Sequence, residues 1–66
     1  MTIEVNGAER QVPEGATVAV VLDHLRLPTS GTAVALNGQV VPRAEHATTV
    51  VPAWAQLEVL TAVQGG

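Results

Sequence analysis

Two Asn-Gly dipeptides constrain the fold of this chain more than any other feature. Asn6-Gly7 and Asn37-Gly38 each lie between short runs of aliphatic residues. A tight two-residue hairpin needs positive φ at both central positions, and Asn followed by Gly adopts that backbone readily. The sequence therefore predicts two β-hairpins, one near each end of a central helical segment.

The strands of the first hairpin follow from the apolar pattern. Met1, Ile3 and Val5 alternate with polar residues, which is the period of a half-buried strand. The returning strand is predicted at 9–12. It ends at Pro13, because proline cannot donate to a strand ladder.

The second hairpin and one further strand occupy the C-terminal half. A short apolar run predicts a strand at 33–36, and its hairpin partner spans 39–41 and stops at Pro42. The last strand is predicted at 56–62. Its residues that share one face are Leu57, Val59 and Thr61.

One helix is predicted between the hairpins. Thr17 is suited to be its N-cap, and the helix is expected to close at Leu27-Pro28, since the residue before proline is driven out of the α region. The apolar residues that share one helical face are Val18, Val21, Leu22 and Leu25. Segment 44–49 has weak helical or turn character. This order predicts an α+β fold in which one helix covers one face of a small sheet.

The composition predicts one domain with an aliphatic core. The chain has 66 residues, 47% of them hydrophobic, with no Phe or Tyr and one Trp. A chain this short has room for a single core. We expect Trp54 to pack its ring over nearby aliphatic residues, and the alternative is that it marks a partner surface.

Missing residue types exclude several classes of site. Without cysteine there is no disulfide, thiolate nucleophile or zinc-thiolate site. Two histidines alone make a zinc site improbable, and we expect both His24 and His46 on the surface.

Charge and hydropathy indicate which class of partner to expect and in which compartment the protein is found. The three basic residues are all arginines and the net charge is −3, which argues against nucleic acid and fits a protein partner with a basic docking face. No apolar stretch is long enough to span a membrane, so we expect a cytoplasmic protein.

The chain closes with Gly65-Gly66, a pair that can enter a narrow site because neither residue carries a Cβ. Together with "ALNGQVVPR" at 35–43 and "LEVLTAVQGG" at 57–66, this end resembles the ThiS family of sulfur carriers in thiamine biosynthesis. The resemblance covers essentially the whole chain. It departs at 52–55, where the family commonly has an Asp-Gly-Asp-like turn.

The resemblance implies a ubiquitin-like β-grasp fold, with a mixed sheet of about five strands and one helix packed on one face. Residues 1–62 would form this domain and 63–66 a flexible tail. The carboxylate of Gly66 would be adenylated, converted to a thiocarboxylate and used to donate sulfur. Gly65, Gln64 and Val63 would thread the partner's channel, and Arg43 is a possible partner contact.

The implied partners perform the chemistry, so the chain itself is expected not to be an enzyme and to bind no metal or cofactor. They are an adenylyltransferase of the ThiF type that uses ATP and magnesium, a sulfur donor supplied by a cysteine desulfurase, and thiazole synthase. Three alternatives stay open: a sulfur carrier for molybdopterin or another pathway, a ubiquitin-like protein modifier, and an interaction module whose tail has no chemical role.

Overall fold

The computed structural model describes residues 1–28 and 30–61. Its elements are β1 (Thr2–Val5), β2 (Ala8–Gln11), α1 (Val18–His24), β3 (Thr32–Leu36), β4 (Gln39–Val41), a 3₁₀ helix (Arg43–Glu45) and β5 (Gln56–Thr61). The predicted order of strands and helix is confirmed. Ala62 and the predicted tail at 63–66 lie outside the described residues, so the boundary between domain and tail stays a prediction.

The five strands form one mixed sheet in the order β2-β1-β5-β3-β4. β1 and β5 run parallel, while the other neighbours are antiparallel. The last strand of the chain is therefore the central strand of the sheet. This confirms the mixed five-stranded sheet with one helix that the resemblance implies.

Both Asn-Gly turns adopt the predicted backbone. Asn6 and Gly7 have φ of 53° and 85°, and Asn37 and Gly38 have φ of 50° and 85°. Positive φ at both central positions is the geometry of the type I′ turn, whose twist matches that of the paired strands.

The core lies between the sheet and α1 and is wholly aliphatic. Alternate residues of β1 and β5 point inward, so Ile3 and Leu57 are at most 1% exposed. The buried hydrophobic residues are Ile3, Val5, Val12, Ala16, Val18, Val21, Leu22, Val34, Val41, Val51, Ala55, Leu57 and Val59. Thr61, predicted to share the face of Leu57 and Val59, is exposed at the end of its strand.

The first turn of α1 is closed by protein groups. Thr17 is the N-cap as predicted, and its hydroxyl accepts from Val20 N at 3.3 Å. Val18 N donates to Thr49 O at 2.9 Å and Ala19 N donates to His46 O at 2.8 Å. The free N–H groups of a helix start are thus used inside the protein and are not offered to an anion.

The prediction that His46 lies on the surface is wrong. His46 is 5% exposed, and its Nε2 lies 3.1 Å from Val41 O. Its carbonyl also accepts from the first turn of α1. Val41 is five residues away, but Ala19 is 27 positions from His46, so the packing of this segment against α1 does not follow from the residues near His46. His24 is exposed, as expected.

Helix α1 ends at His24, before the predicted boundary at Leu27-Pro28. Arg26 has φ of 60°, Arg26 N donates to Asp23 O at 3.0 Å, and Leu27 N donates to Leu22 O at 2.8 Å. This pair of bonds is a Schellman motif, in which a left-handed residue satisfies the last carbonyls of a helix. Glycine is the usual residue at that position, so its replacement by arginine concealed the true helix end.

Candidate functional site

The predicted tail extends from β5, so the end of this strand is the base of the candidate site. Thr61 is the last described residue, and it pairs with Thr32 of β3. The residues predicted to carry sulfur and to enter the partner lie outside the described residues and remain predictions; they are Val63, Gln64, Gly65 and Gly66.

The strand that leads to this point is held by the side chains of both turn asparagines. Asn6 Oδ1 accepts from Val59 N at 2.8 Å, and Asn6 Nδ2 donates to Val59 O at 3.1 Å. At the start of β5, Asn37 Oδ1 accepts from Gln56 N at 2.9 Å. Reading the asparagines as turn residues missed this second role. The presence of Asn, and not Asp or Gly, in both turns was the sequence signal for this role. A carboxamide can both donate and accept hydrogen bonds, so it can pair with a neighbouring strand.

Arg43 lies beside the end of β5. It is the exposed first residue of the 3₁₀ helix, and it lines an open groove of about 470 Å³. The residues around this groove are Gly31, Thr32, Ala33, Arg43, Leu60 and Thr61. The fold thus brings the predicted partner contact, Arg43, beside Thr61, the last described residue of β5.

The sheet face turned away from α1 carries an apolar patch. Val40 and Leu60 are 77% and 73% exposed. The register places Leu60 opposite Ala33 and Val40 opposite Ala35, so the four side chains are neighbours on this face. We call these residues, Ala33, Ala35, Val40 and Leu60, the outer patch. An exposed cluster of aliphatic residues is a feature of surfaces that bind other proteins.

Three carboxylates accompany the outer patch on the same face. Glu58 is opposite Ala35, and Glu4 is opposite Glu9 on the neighbouring pair of strands. Directly opposed residues of antiparallel strands project to the same side of the sheet. The face is therefore apolar over β3, β4 and the end of β5, and acidic toward β1 and β2.

Trp54 lies at the opposite end of β5. It is 71% exposed and has φ of 64° in a turn in which Ala55 N donates to Pro52 O at 3.3 Å. The expectation that its ring packs over aliphatic residues is wrong, because the turn holding it is exposed from Pro52 to Trp54. Trp54 N donates to Thr2 O at 2.7 Å, which ties the turn to the start of β1.

Metal-ligand clusters and membrane-spanning helices are both absent from the part of the chain that the structure describes. In residues 1–28 and 30–61, no group of three or more His, Asp or Glu side chains is placed to hold a metal ion. Over the same residues, no helix has the length and apolar character needed to cross a lipid bilayer.

The comparisons with known proteins agree with this fold. The ThiS family model matches residues 2–66, a range that includes the predicted tail. A crystal structure of the thiamine biosynthesis protein ThiS from Geobacter metallireducens is similar, with 30% sequence identity, a TM-score of 0.84 and full coverage of both chains. An NMR solution structure of a thiamine biosynthesis protein from the same organism has 30% identity and a TM-score of 0.82, covering 100% of this chain and 88% of that one. No curated protein sequence matches significantly. The chain belongs to the ThiS family and has its ubiquitin-like β-grasp fold.

Proposed function

We propose that this protein carries sulfur in thiamine biosynthesis as a thiocarboxylate at Gly66. The observation that carries the proposal is the match to the ThiS family, which runs through the final Gly65-Gly66 pair. The similar structures are thiamine biosynthesis proteins, one of them ThiS itself, and this supports the same pathway for this chain.

The proposed chemistry starts at a carboxylate, which is a poor electrophile. An adenylyltransferase of the ThiF type would join the Gly66 carboxylate to AMP, with ATP as the second reactant, magnesium to neutralise the phosphate charge and pyrophosphate as the leaving group. The partner's site would supply positioning and charge neutralisation for this step. The resulting acyl adenylate has a good leaving group, which a sulfur nucleophile can displace.

Sulfur would then come from a persulfide formed by a cysteine desulfurase. The outer persulfide sulfur attacks the acyl carbon, so that a carbon-sulfur bond forms and AMP leaves. A second thiol then cleaves the sulfur-sulfur bond inherited from the donor, which releases the thiocarboxylate and leaves a disulfide between the donor and that thiol. Because the chain contains no cysteine, its own side chains offer no thiol to hold this sulfur. The thiocarboxylate is the more nucleophilic form of the terminus, and it would deliver sulfur to thiazole synthase.

In this scheme the folded domain binds the partner and presents the tail to the partner's channel. The outer patch offers an apolar contact, and the Arg43 groove extends from Leu60 to Thr61, where the described part of β5 ends. A partner that grips this face therefore holds the start of the tail. Residues 63–66 would thread its channel, with Gly65 and Gly66 at the narrowest part because neither carries a side chain.

The charges around the outer patch indicate which charges the partner's docking surface would carry. The acidic flank of the outer face would be met by Arg or Lys residues, which raise the rate of encounter and select the orientation. Arg43 lies at the opposite margin of the patch and would pair with a carboxylate of the partner. An exposed ion pair of this kind contributes about 0–1 kcal/mol, so we assign Arg43 to orientation rather than to affinity.

Intact mass spectrometry tests the proposal directly. The full chain is incubated with the ThiF-type enzyme, ATP, magnesium and a persulfide donor, and the mass change from oxygen-to-sulfur exchange is sought at Gly66. Deletion of Gly66 should abolish both adenylate and thiocarboxylate, and circular dichroism should show an unchanged fold. The matched control is Val50→Ser, an exposed position outside the outer patch and the Arg43 groove, which should react like the unaltered chain. Adenylation of the truncated protein would overturn the proposal.

The sulfur acceptor is tested separately. Thiocarboxylated protein should lose its sulfur to thiazole synthase in the presence of that enzyme's substrates. Transfer to a molybdopterin synthase instead would place the carrier in the other pathway. High-mass adducts that survive reduction would identify a protein modifier.

A further inference from the structure

Both Asn-Gly turns contain a peptide sequence that is prone to an intramolecular reaction. In an Asn-Gly pair the backbone nitrogen of glycine can attack the side-chain Cγ of asparagine, because glycine has no Cβ to obstruct the approach. At Gly7 and at Gly38 no atom beyond the adjacent residues lies within 4 Å of the place that a Cβ would occupy, so the rest of the fold leaves both turns open. Both turns have similar φ values, so backbone shape does not distinguish them.

The hydrogen bonds of the two carboxamides do distinguish them. Asn6 uses both Oδ1 and Nδ2, in partly buried bonds to Val59 of 2.8 and 3.1 Å. Within residues 1–28 and 30–61, Asn37 uses Oδ1 alone, in a solvent-exposed bond of 2.9 Å to Gln56 N. The nitrogen that must leave during the reaction is therefore bonded to protein in Asn6, whereas in Asn37, an exposed residue, it has no protein acceptor within the described residues.

From this difference we infer that Asn37 is a site of spontaneous deamidation and isomerisation, and that the fold protects Asn6. Gly38 N forms a bond to Asn37 Cγ and loses its proton, the bond from Cγ to Nδ2 breaks, and ammonia leaves. Water then opens the cyclic imide at either carbonyl, giving aspartate or isoaspartate. Water is the only co-reactant, and nothing is oxidised or reduced.

The two products have different structural consequences. Aspartate at position 37 keeps an oxygen that can accept from Gln56 N, so the hairpin is retained. Isoaspartate routes the chain through Cγ and adds one methylene to a two-residue turn. The Leu36–Gln39 pairing that closes this hairpin then cannot keep its register, and Val40 of the outer patch is displaced with β4.

The positions of the arginines allow the two asparagines to be followed separately after the full chain is digested. Trypsin cleaves after Arg10, Arg26 and Arg43, which puts Asn6 in peptide 1–10 and Asn37 in peptide 27–43. Folded protein is aged in mildly alkaline buffer, and each peptide is followed for the mass gain of replacing NH₂ by OH. An isoaspartyl-specific carboxyl methyltransferase reports the isomerised product. We expect peptide 27–43 to react about fivefold faster, the factor equivalent to the ~1 kcal/mol of one additional hydrogen bond.

Ageing the same chain in concentrated urea is the matched control. There the two rates should converge, because both sites are Asn-Gly and the protecting bonds are gone. An Asn37→Asp variant supplies the authentic aspartate product and should fold like the unaltered chain. Equal rates in the folded protein, a faster Asn6 peptide, or a difference that persists in urea would each overturn the inference.

Discussion

The carboxamide of Asn6 pairs with both backbone groups of Val59, a residue 53 positions away in sequence, at 2.8 and 3.1 Å. β1 ends at Val5, and Asn6 N makes the final backbone bond to β5, to Leu57 O at 2.9 Å. The side chain of Asn6 then takes the place that a further residue of β1 would have occupied. The central strand is thereby held near the point where the tail begins.

Asn6→Asp should destabilise the fold, because it removes the donor to Val59 O and sets a carboxylate oxygen against that carbonyl. We expect a loss of about 2 kcal/mol in the free energy of unfolding, measured by urea denaturation. Asn37→Asp is the matched control and should change stability by less than about 0.5 kcal/mol, since Gln56 N needs only an acceptor. Equal effects of the two substitutions would contradict the role assigned to Asn6 Nδ2.

Arg26→Gly should stabilise the protein. Arg26 has φ of 60° at the end of α1, a conformation that glycine adopts without the Cβ crowding of other residues. We expect a gain of about 1 kcal/mol, seen as a rise in Tm of roughly 4–8 °C by calorimetry. Arg26→Ala removes the same charge but keeps the strain, so its Tm should not rise. A comparable gain from alanine would assign the effect to charge instead.

His46→Ala should destabilise the protein by about 2 kcal/mol, because it leaves Val41 O without its imidazole partner and opens a cavity beside the core. His24→Ala, at an exposed position at the end of α1, should stay within about 0.5 kcal/mol. Chemical denaturation of both variants checks the contrast. If both histidines proved equally dispensable, His46 would not be a structural residue.

Leu60→Ser should weaken binding of the proposed adenylating partner without unfolding the domain. Leu60 is 73% exposed on the outer patch, so its contribution to the core is small while its loss removes apolar contact with a partner. We expect about a tenfold rise in Kd by calorimetric titration, which corresponds to ~1.4 kcal/mol. Val50→Ser, with 58% exposure off this face, should bind normally. Unchanged affinity in Leu60→Ser would exclude the outer patch as the docking face.

Local features of the fold were predictable because each depends on a few neighbouring residues. The Asn-Gly turns follow from the backbone preferences of Asn and Gly, and the Thr17 cap from the reach of a hydroxyl to the next helical turn. The inward face of the last strand at Leu57 and Val59 follows from alternation. The end of α1 was missed because Arg26 occupies a place where glycine is the usual signal.

The candidate site was only partly predictable. Arg43 was selected from a motif, whereas its place beside Thr61 depends on how β3, β5 and the 3₁₀ helix pack. Alternation places Leu60 on the strand face opposite Leu57 and Val59, but its place beside Val40 depends on the strand order. The exposure of Trp54 could not be read from the sequence. An aromatic ring packs over aliphatic residues if the backbone directs it inward, and the backbone direction at this turn is set by the tertiary structure.

By itself, the sequence determined the turns, the alternation of the strands, the apolar helix face and an aliphatic core without cysteine. These are properties of composition and of residues within one or two turns of each other. Only the tertiary structure decided that β5 lies in the centre beside β1, that His46 is buried, and that Val40, Leu60 and Arg43 gather near the end of β5. Those outcomes depend on contacts between elements that are far apart in the chain. Local residue preferences do not specify which strands pair, in which direction they run or in which register.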